Sequence, residues 1–171
     1  MGGLSPDWWC ASVLDVSPAW VVEAGFKAVL LDLDNTLQAR DRDSVGADEH
    51  AWVESLKREG LSCCLVSNTA KPRVRDAAAS LELPLVENAY KPLAGGYRRA
   101  LELVGEEPER AIMVGDQTYT DILGAHRAGM RAVLVDPLCD VDLAHTRLLR
   151  RLDRRAVRGM EREKLEAGQG R

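Results

Sequence analysis

Phe26-Lys27-Ala28-Val29-Leu30-Leu31-Asp32-Leu33-Asp34-Asn35-Thr36-Leu37 decides the fold. An unbroken apolar run that stops abruptly at acids reads as a strand buried on both faces, as in a parallel sheet. Side chains alternate along a strand, so Asp32 and Asp34 leave its carboxyl end on one face, with Asn35-Thr36 turning the chain. Two carboxylates that close repel unless one takes a proton or a cation sits between them. Oxygen donors of this kind favour Mg²⁺. Taken alone, the same residues also fit a polar strand end closed by a turn.

Three further segments change that balance. Leu61 to Val66 is a second apolar run, ending in Ser67-Asn68-Thr69. Leu85-Val86 is followed by a turn and Lys91-Pro92, and Ala111-Ile112-Met113-Val114 delivers Gly115-Asp116-Gln117 with Asp121 beyond. An acid pair, a hydroxyl with an amide, a further acid and a lysine form the set that phosphoryl transfer to a carboxylate requires, each group oriented towards one centre. Apolar runs over 28–33, 61–66, 84–87, 111–115 and 131–135 read as strands, and helices are expected over 18–24, 47–59, 71–81, 93–104, 119–129 and 142–163. Asp48 can cap the second helix and Gly60 can end it. Such alternation gives an α/β doubly wound parallel sheet of about five strands with the first strand central.

These four segments, in this order, resemble the motifs of the haloacid dehalogenase-like (HAD) phosphatases. Gly115-Asp116-Gln117-Thr118-Tyr119-Thr120-Asp121 is similar to the subclass IIIA pattern. With the lead-in Ser17 to Phe26 and the tail around Thr146-Arg147-Leu148-Leu149-Arg150-Arg151, the chain resembles the YqeG-type branch, relatives of the mitochondrial phosphatidylglycerophosphatases. The resemblance implies a Rossmann-like sheet of order 3-2-1-4-5, a Mg²⁺ cofactor, and a phosphomonoester substrate, with a phosphatidylglycerophosphate-like lipid phosphate favoured. Asp32 is the expected nucleophile and Asp34 the general acid. Asp32, Asp116 and the backbone carbonyl of Asp34 would hold the metal, while Ser67, Asn68 and Lys91 would hold the transferring phosphoryl group. Asp121 would orient Lys91 or a metal-bound water, or else cap the next helix, and Gln117 is a further supporting residue of the site.

The gaps from Thr36 to Ser67 and from Asn68 to Lys91 hold no more than a helix with a loop or short strand, so no lid domain is expected. An open site encloses a small metabolite poorly and favours a large or surface-bound substrate. Residues 1–165 are read as one domain, with a lead-in over 1–25, a basic helix over 142–163 and a disordered tail over 166–171.

The net charge of −4 hides a polarity: from Arg147 onward nine Arg/Lys face four acids, a net of +5 that leaves −9 elsewhere. No basic face suited to nucleic acid is expected. No run reaches a membrane span, no secretory signal is evident, and the cysteines lack metal spacing, which reads as cytoplasmic. Trp8, Trp9 and Trp20 either pack the lead-in on the sheet or anchor it to a membrane. Leu148, Leu149, Leu152, Ala156 and Val157 form an apolar stripe bordered by arginines, fit either for the core or for an anionic inner membrane face. Lys71, Arg73 and Arg75 read as a solvated helix face, or as a rim that binds an anionic head group. The alternatives are a phosphatase for a nucleotide, sugar phosphate or phosphoprotein, and a non-catalytic phospho-accepting or scaffold domain. The phospho-accepting reading fails on position, since its acceptor strand would end here in Glu87-Asn88.

Overall fold

The computed structural model describes residues 3–139, 153 and 155–168. Six strands, β1 (Trp8–Cys10), β2 (Ala28–Leu31), β3 (Ser62–Val66), β4 (Leu85–Val86), β5 (Ala111–Gly115) and β6 (Arg131–Val135), form one sheet in the order β1-β6-β5-β2-β3-β4. Every pairing is parallel. The expected strands are β2 to β6, and their expected order is reproduced. β1 is an addition: the lead-in makes a sixth, edge strand, with Trp8 in register with Val133 of β6.

Period-2 alternation divides the core into two layers. Val29, Leu31, Cys63, Leu65, Ile112, Val114 and Val133 face one side, whereas Leu30, Cys64, Val66, Met113, Ala132 and Leu134 face the other. On the first side pack α1 (Pro18–Glu23), α2 (Ala47–Arg58) and α3 (Pro72–Ser80), through Trp20, Val21, Trp52, Val53, Leu56, Val74 and Ala77. On the second pack α4 (Ala94–Val104) and α5 (Leu123–Arg127), through Tyr97, Ala100, Leu101 and Ala125. Covering both faces removes the need for polar residues in the strands, which is why β2 reads as four buried residues in succession.

Helix boundaries follow local chemistry with two corrections. Gly46, not Asp48, takes the N-cap of α2; Asp48 and Glu49 lie in its first turn, where negative charge suits the positive end of the helix dipole. The expected helix over 119–129 divides into a π-helical turn, Thr118–Ile122, and the short α5.

Trp8 and Trp20 are buried, with ring centroids 5.0 Å apart in an edge-to-face pair. Trp9 donates from Nε1 to Asp136 Oδ1 at 3.0 Å and lies under the Arg162 guanidinium. The early tryptophans therefore pack the lead-in on the molecule's own residues.

Most of the expected helix 142–163 lies outside the described residues. Asp153, Arg155 and Ala156 are helical, but the chain turns at 157–159, where Gly159 has a φ of +86°, and residues 160–163 are not helical. This segment is tied back to the lead-in: Glu163 N donates to Trp9 O, Leu165 N to Asp15 O, and Ser17 N to Leu165 O. Of the expected disordered tail, Gly168 N donates to Glu23 Oε2 at 2.7 Å, and 169–171 lie outside the described residues. Among the described residues, no helix is long and apolar enough to cross a membrane.

Candidate active site

Strand register brings the four motifs to one edge. Leu31 of β2 is opposite both Leu65 of β3 and Val114 of β5, so Asp32, Ser67 and Asp116 leave neighbouring strands close together. Asp32 N still donates to Val114 O at 3.0 Å, which holds the first acid against β5. The strand order reverses between β2 and β5, the place where open α/β sheets bind ligands.

At this point Lys91 joins two acids. Its Nζ donates to Asp32 Oδ1 at 2.5 Å and to Asp121 Oδ1 at 2.7 Å. The lysine and Asp121 side chains are 3% and 1% exposed, so the charges interact with little water between or around them. Burial alone would lower the Lys91 ammonium's pKa, but the charges of Asp121 and Asp32 outweigh it and hold it above the ordinary range. Burial pushes the Asp121 carboxyl up to about 6, against the pull of Lys91 and with the repulsion of Asp32.

Asn68 sets the lysine's position. Its Oδ1 accepts from Lys91 N at 2.6 Å, and its Nδ2 donates to Lys91 O at 3.1 Å. Ser67 is buried beside it, and its Oγ accepts from Thr69 N at 3.3 Å. Thr36 Oγ1 donates to Asp32 Oδ2 at 3.3 Å, so both Asp32 oxygens have a donor.

The fourth motif is a close-fitting turn. Gln117 N donates to Asp121 Oδ2 at 3.1 Å, which folds the Asp121 carboxylate back over the strand end. A Cβ on Gly115 would lie 2.5 Å from Asp121 Cγ, so this approach requires glycine. Tyr97, absent from the sequence-based site, supports the turn from α4: its hydroxyl donates to Thr120 O at 2.7 Å, and its ring fills the space over Gly124. Burial pushes the Tyr97 phenol up, which keeps that donor protonated. Nothing in the linear pattern around Tyr97 distinguishes it from an ordinary core aromatic.

Two expectations are refined. Asp121 is more than a helper to Lys91: one oxygen from each of Asp32, Asp116 and Asp121 lies within 4.8 Å of the others, with all three residues buried. Asp34 lies outside that carboxylate group, and its Oδ1 pairs with Arg73 Nη2 of α3. Arg73 therefore belongs to the site's rim, whereas Arg75 pairs with Glu87 at 2.6 Å. Gln117 contributes its backbone N–H to Asp121, and its side chain accepts from Thr120 at 3.4 Å. Three hard, anionic oxygens in so short a span match the donor preference of a divalent cation, so the residues present fit one.

The fold and these strand-end groups define a HAD-like phosphatase. A family model described as HAD-hydrolase-like matches residues 89–137. The chain is 31% identical over 158 residues to the probable phosphatase YqeG of Bacillus subtilis, covering 92% of each. The chain belongs to this YqeG-type family of HAD-like phosphatases. It is also 35% identical over 124 residues to the chloroplastic phosphatidylglycerophosphate phosphatase 1 of Chlamydomonas reinhardtii, spanning 67% of this chain but 46% of that enzyme. A crystal structure of a HAD phosphatase from Thermococcus onnurineus superposes with a TM-score of 0.55 at 20% identity, covering 80% of this chain and 100% of that one, a likeness of fold. The enzyme is thus a phosphatase acting on phosphorylated substrates.

Proposed function

We propose that the protein is a Mg²⁺-dependent phosphomonoesterase that works through an aspartyl-phosphate on Asp32. The observation that carries this reading is the buried Asp32–Lys91–Asp121 network with Asp116 beside it. An Asp32 carboxylate oxygen attacks phosphorus, the ester bond breaks, and Asp34 gives its proton to the departing alkoxide. Asp34 then takes a proton from the water that cleaves the acyl-phosphate, which regenerates Asp32 and releases phosphate. Lys91 offsets the charge gathered on the transferring oxygens, and Ser67 with Asn68 borders the phosphoryl group. Asp32, Asp116, Asp121 and the Asp34 backbone would hold Mg²⁺, which supplies charge neutralisation between nucleophile and phosphate when bound. Arg73 must release Asp34 for the acid to reach the leaving group.

The favoured substrate is a lipid phosphate of the phosphatidylglycerophosphate kind. Three observations support it: the absence of a lid among the described residues, the exposed Tyr90 and Leu93 that flank Lys91, and the Chlamydomonas relative named for that substrate. A groove of about 700 Å³ lined by Val86, Glu87, Tyr90, Arg99, Glu102 and Leu103 lies beside the lysine loop and offers apolar surface among charges of both signs. A domain of this size with its basic tail would meet such a substrate at an anionic membrane surface from the cytoplasmic side.

The test is phosphate release from phosphatidylglycerophosphate in mixed micelles, set against a nucleotide, a sugar phosphate and a phosphopeptide, with and without Mg²⁺. A kcat/KM for the lipid at least about tenfold above every soluble ester supports the reading, as that ratio reports about 1.4 kcal/mol of preferential transition-state binding. Preference for a soluble ester overturns the lipid assignment. Full turnover in EDTA, or by Asp32→Asn, overturns the mechanism.

A further inference from the structure

We propose that Asp153 is a positioning residue of the active site, holding the turn that carries Asp116 and Asp121. Its buried carboxylate accepts twice from one residue: Thr118 N donates to Asp153 Oδ1 at 2.9 Å and Thr118 Oγ1 donates to it at 2.6 Å. Thr118 is fully buried, two residues past Asp116 and three before Asp121. It opens the π-helical turn, where backbone N–H groups lack partners within the helix and need an acceptor from outside. A carboxylate supplies a charge-assisted bond, stronger than a neutral one and well placed against the positive end of the turn's aligned dipoles.

The turn is then held from two elements. Asp153 fixes its start, and Tyr97 of α4 fixes Thr120 near its end. Flanking these two anchors, Gln117 N sets the Asp121 carboxylate. Loss of the Asp153 anchor leaves a buried N–H and a buried hydroxyl without their acceptor, and the turn must shift to satisfy them. That shift moves Asp116 and Asp121 relative to Asp32. Asp153 is itself held by its surroundings: Val157 N donates to Asp153 O, and the chain beyond is tied to the lead-in through Glu163 and Leu165. The segment after β6 therefore completes a site whose reacting groups all lie between Asp32 and Asp121.

This inference rests on the metal site proposed above, and the full-length chain tests both. Mg²⁺ binding is measured by calorimetry for the parent, Asp153→Ala, Asp153→Asn and Thr118→Val, alongside thermal unfolding and turnover of p-nitrophenyl phosphate. Groups that orient metal ligands typically change affinity by about 10–100-fold, so Asp153→Ala should weaken Mg²⁺ by at least about tenfold. Its kcat should fall at limiting Mg²⁺, with KM for the ester within about twofold at saturating Mg²⁺. Asp153→Asn keeps the accepting oxygen and should recover most of the affinity. Thr118→Val removes one hydrogen bond and should weaken Mg²⁺ by about threefold. A parent that binds no Mg²⁺ overturns the metal site and this role together. A parent that binds, with Asp153→Ala lower in melting temperature but unchanged in Mg²⁺ affinity, overturns the positioning role alone. If Asp153→Ala does not fold, a folded Thr118→Val with parental affinity overturns it equally.

Discussion

Lys91→Met removes one charge and keeps the length of the stem. It leaves Asp32 and Asp121, whose side chains are 11% and 1% exposed, facing each other without the ammonium that now lies 2.5 and 2.7 Å from them. Breaking a buried pair by removing one partner costs about 3–5 kcal/mol, because the remaining charge loses its compensation. The Coulomb attraction at about 4 Å, with an effective dielectric near 20, is about 4 kcal/mol and agrees in size. For a domain of this length each kcal/mol lowers the melting temperature by about 2–4 °C, so a fall of roughly 6–20 °C is expected. Urea unfolding in EDTA, followed by circular dichroism, measures the loss free of any bound cation. Lys91→Met/Asp121→Asn removes one of the two uncompensated carboxylates and should regain part of the stability. A loss under about 1 kcal/mol for the single variant, or no recovery in the double, refutes the view that Lys91 is what makes this acid cluster tolerable in the fold.

Gly115→Ala sets a methyl 2.5 Å from Asp121 Cγ and should cost about 1–3 kcal/mol with a marked fall in turnover; parental stability and rate would show that the turn yields freely. His126 Nε2 bonds Asp7 Oδ2 at 3.0 Å, and that hydrogen bond, ahead of the opposing effect of burial, raises the imidazole's pKa above its ordinary 6.5. Its stabilising contribution is therefore complete below pH 6.5 and is lost as pH rises through the raised value, so His126→Gln should remove a decline in melting temperature on the alkaline side that the parent shows. Burial pushes the Cys10, Cys63 and Cys64 thiols up to about 12, so a thiol reagent at neutral pH should label only Cys139 in the folded protein and all four cysteines in urea.

The sheet was legible because its strands are buried on both faces and its motifs fall at strand ends. Leu31-Asp32 and Val114-Gly115-Asp116 mark where apolar runs stop, and parallel register aligns those stops. β1 was not legible: Trp8-Trp9-Cys10 is too short for a periodic signal, and it is a strand because β6 offers a free edge. The expected continuous helix at 119–129 misses the π-helical turn, which depends on Tyr97 packing over Gly124 and on Gln117 meeting Asp121, contacts between residues remote in pattern. The sequence leaves Asp121 either orienting Lys91 or a metal-bound water or capping the next helix, because spacing alone cannot show that its carboxylate folds back beside Asp32 and Asp116. Asp153 gave no signal at all, lying 35 residues from its partner in a stretch dominated by arginines.

The reciprocal hydrogen bonds between the Asn68 side chain and the Lys91 backbone have a consequence for how this scaffold can grow. They fasten the two ends of the stretch that includes α3 and β4 directly to each other, so the position of the lysine does not depend on every residue between. The exposed corner around Glu82, between α3 and β4, is then a free port: extra chain inserted there extends outward from an already closed loop, and its closure entropy rises only slowly with length. Because that corner leads into the amino end of β4, away from the strand ends that carry Asp32, Ser67 and Asp116, a domain added there would leave the site as open as it is and the reacting groups in their places.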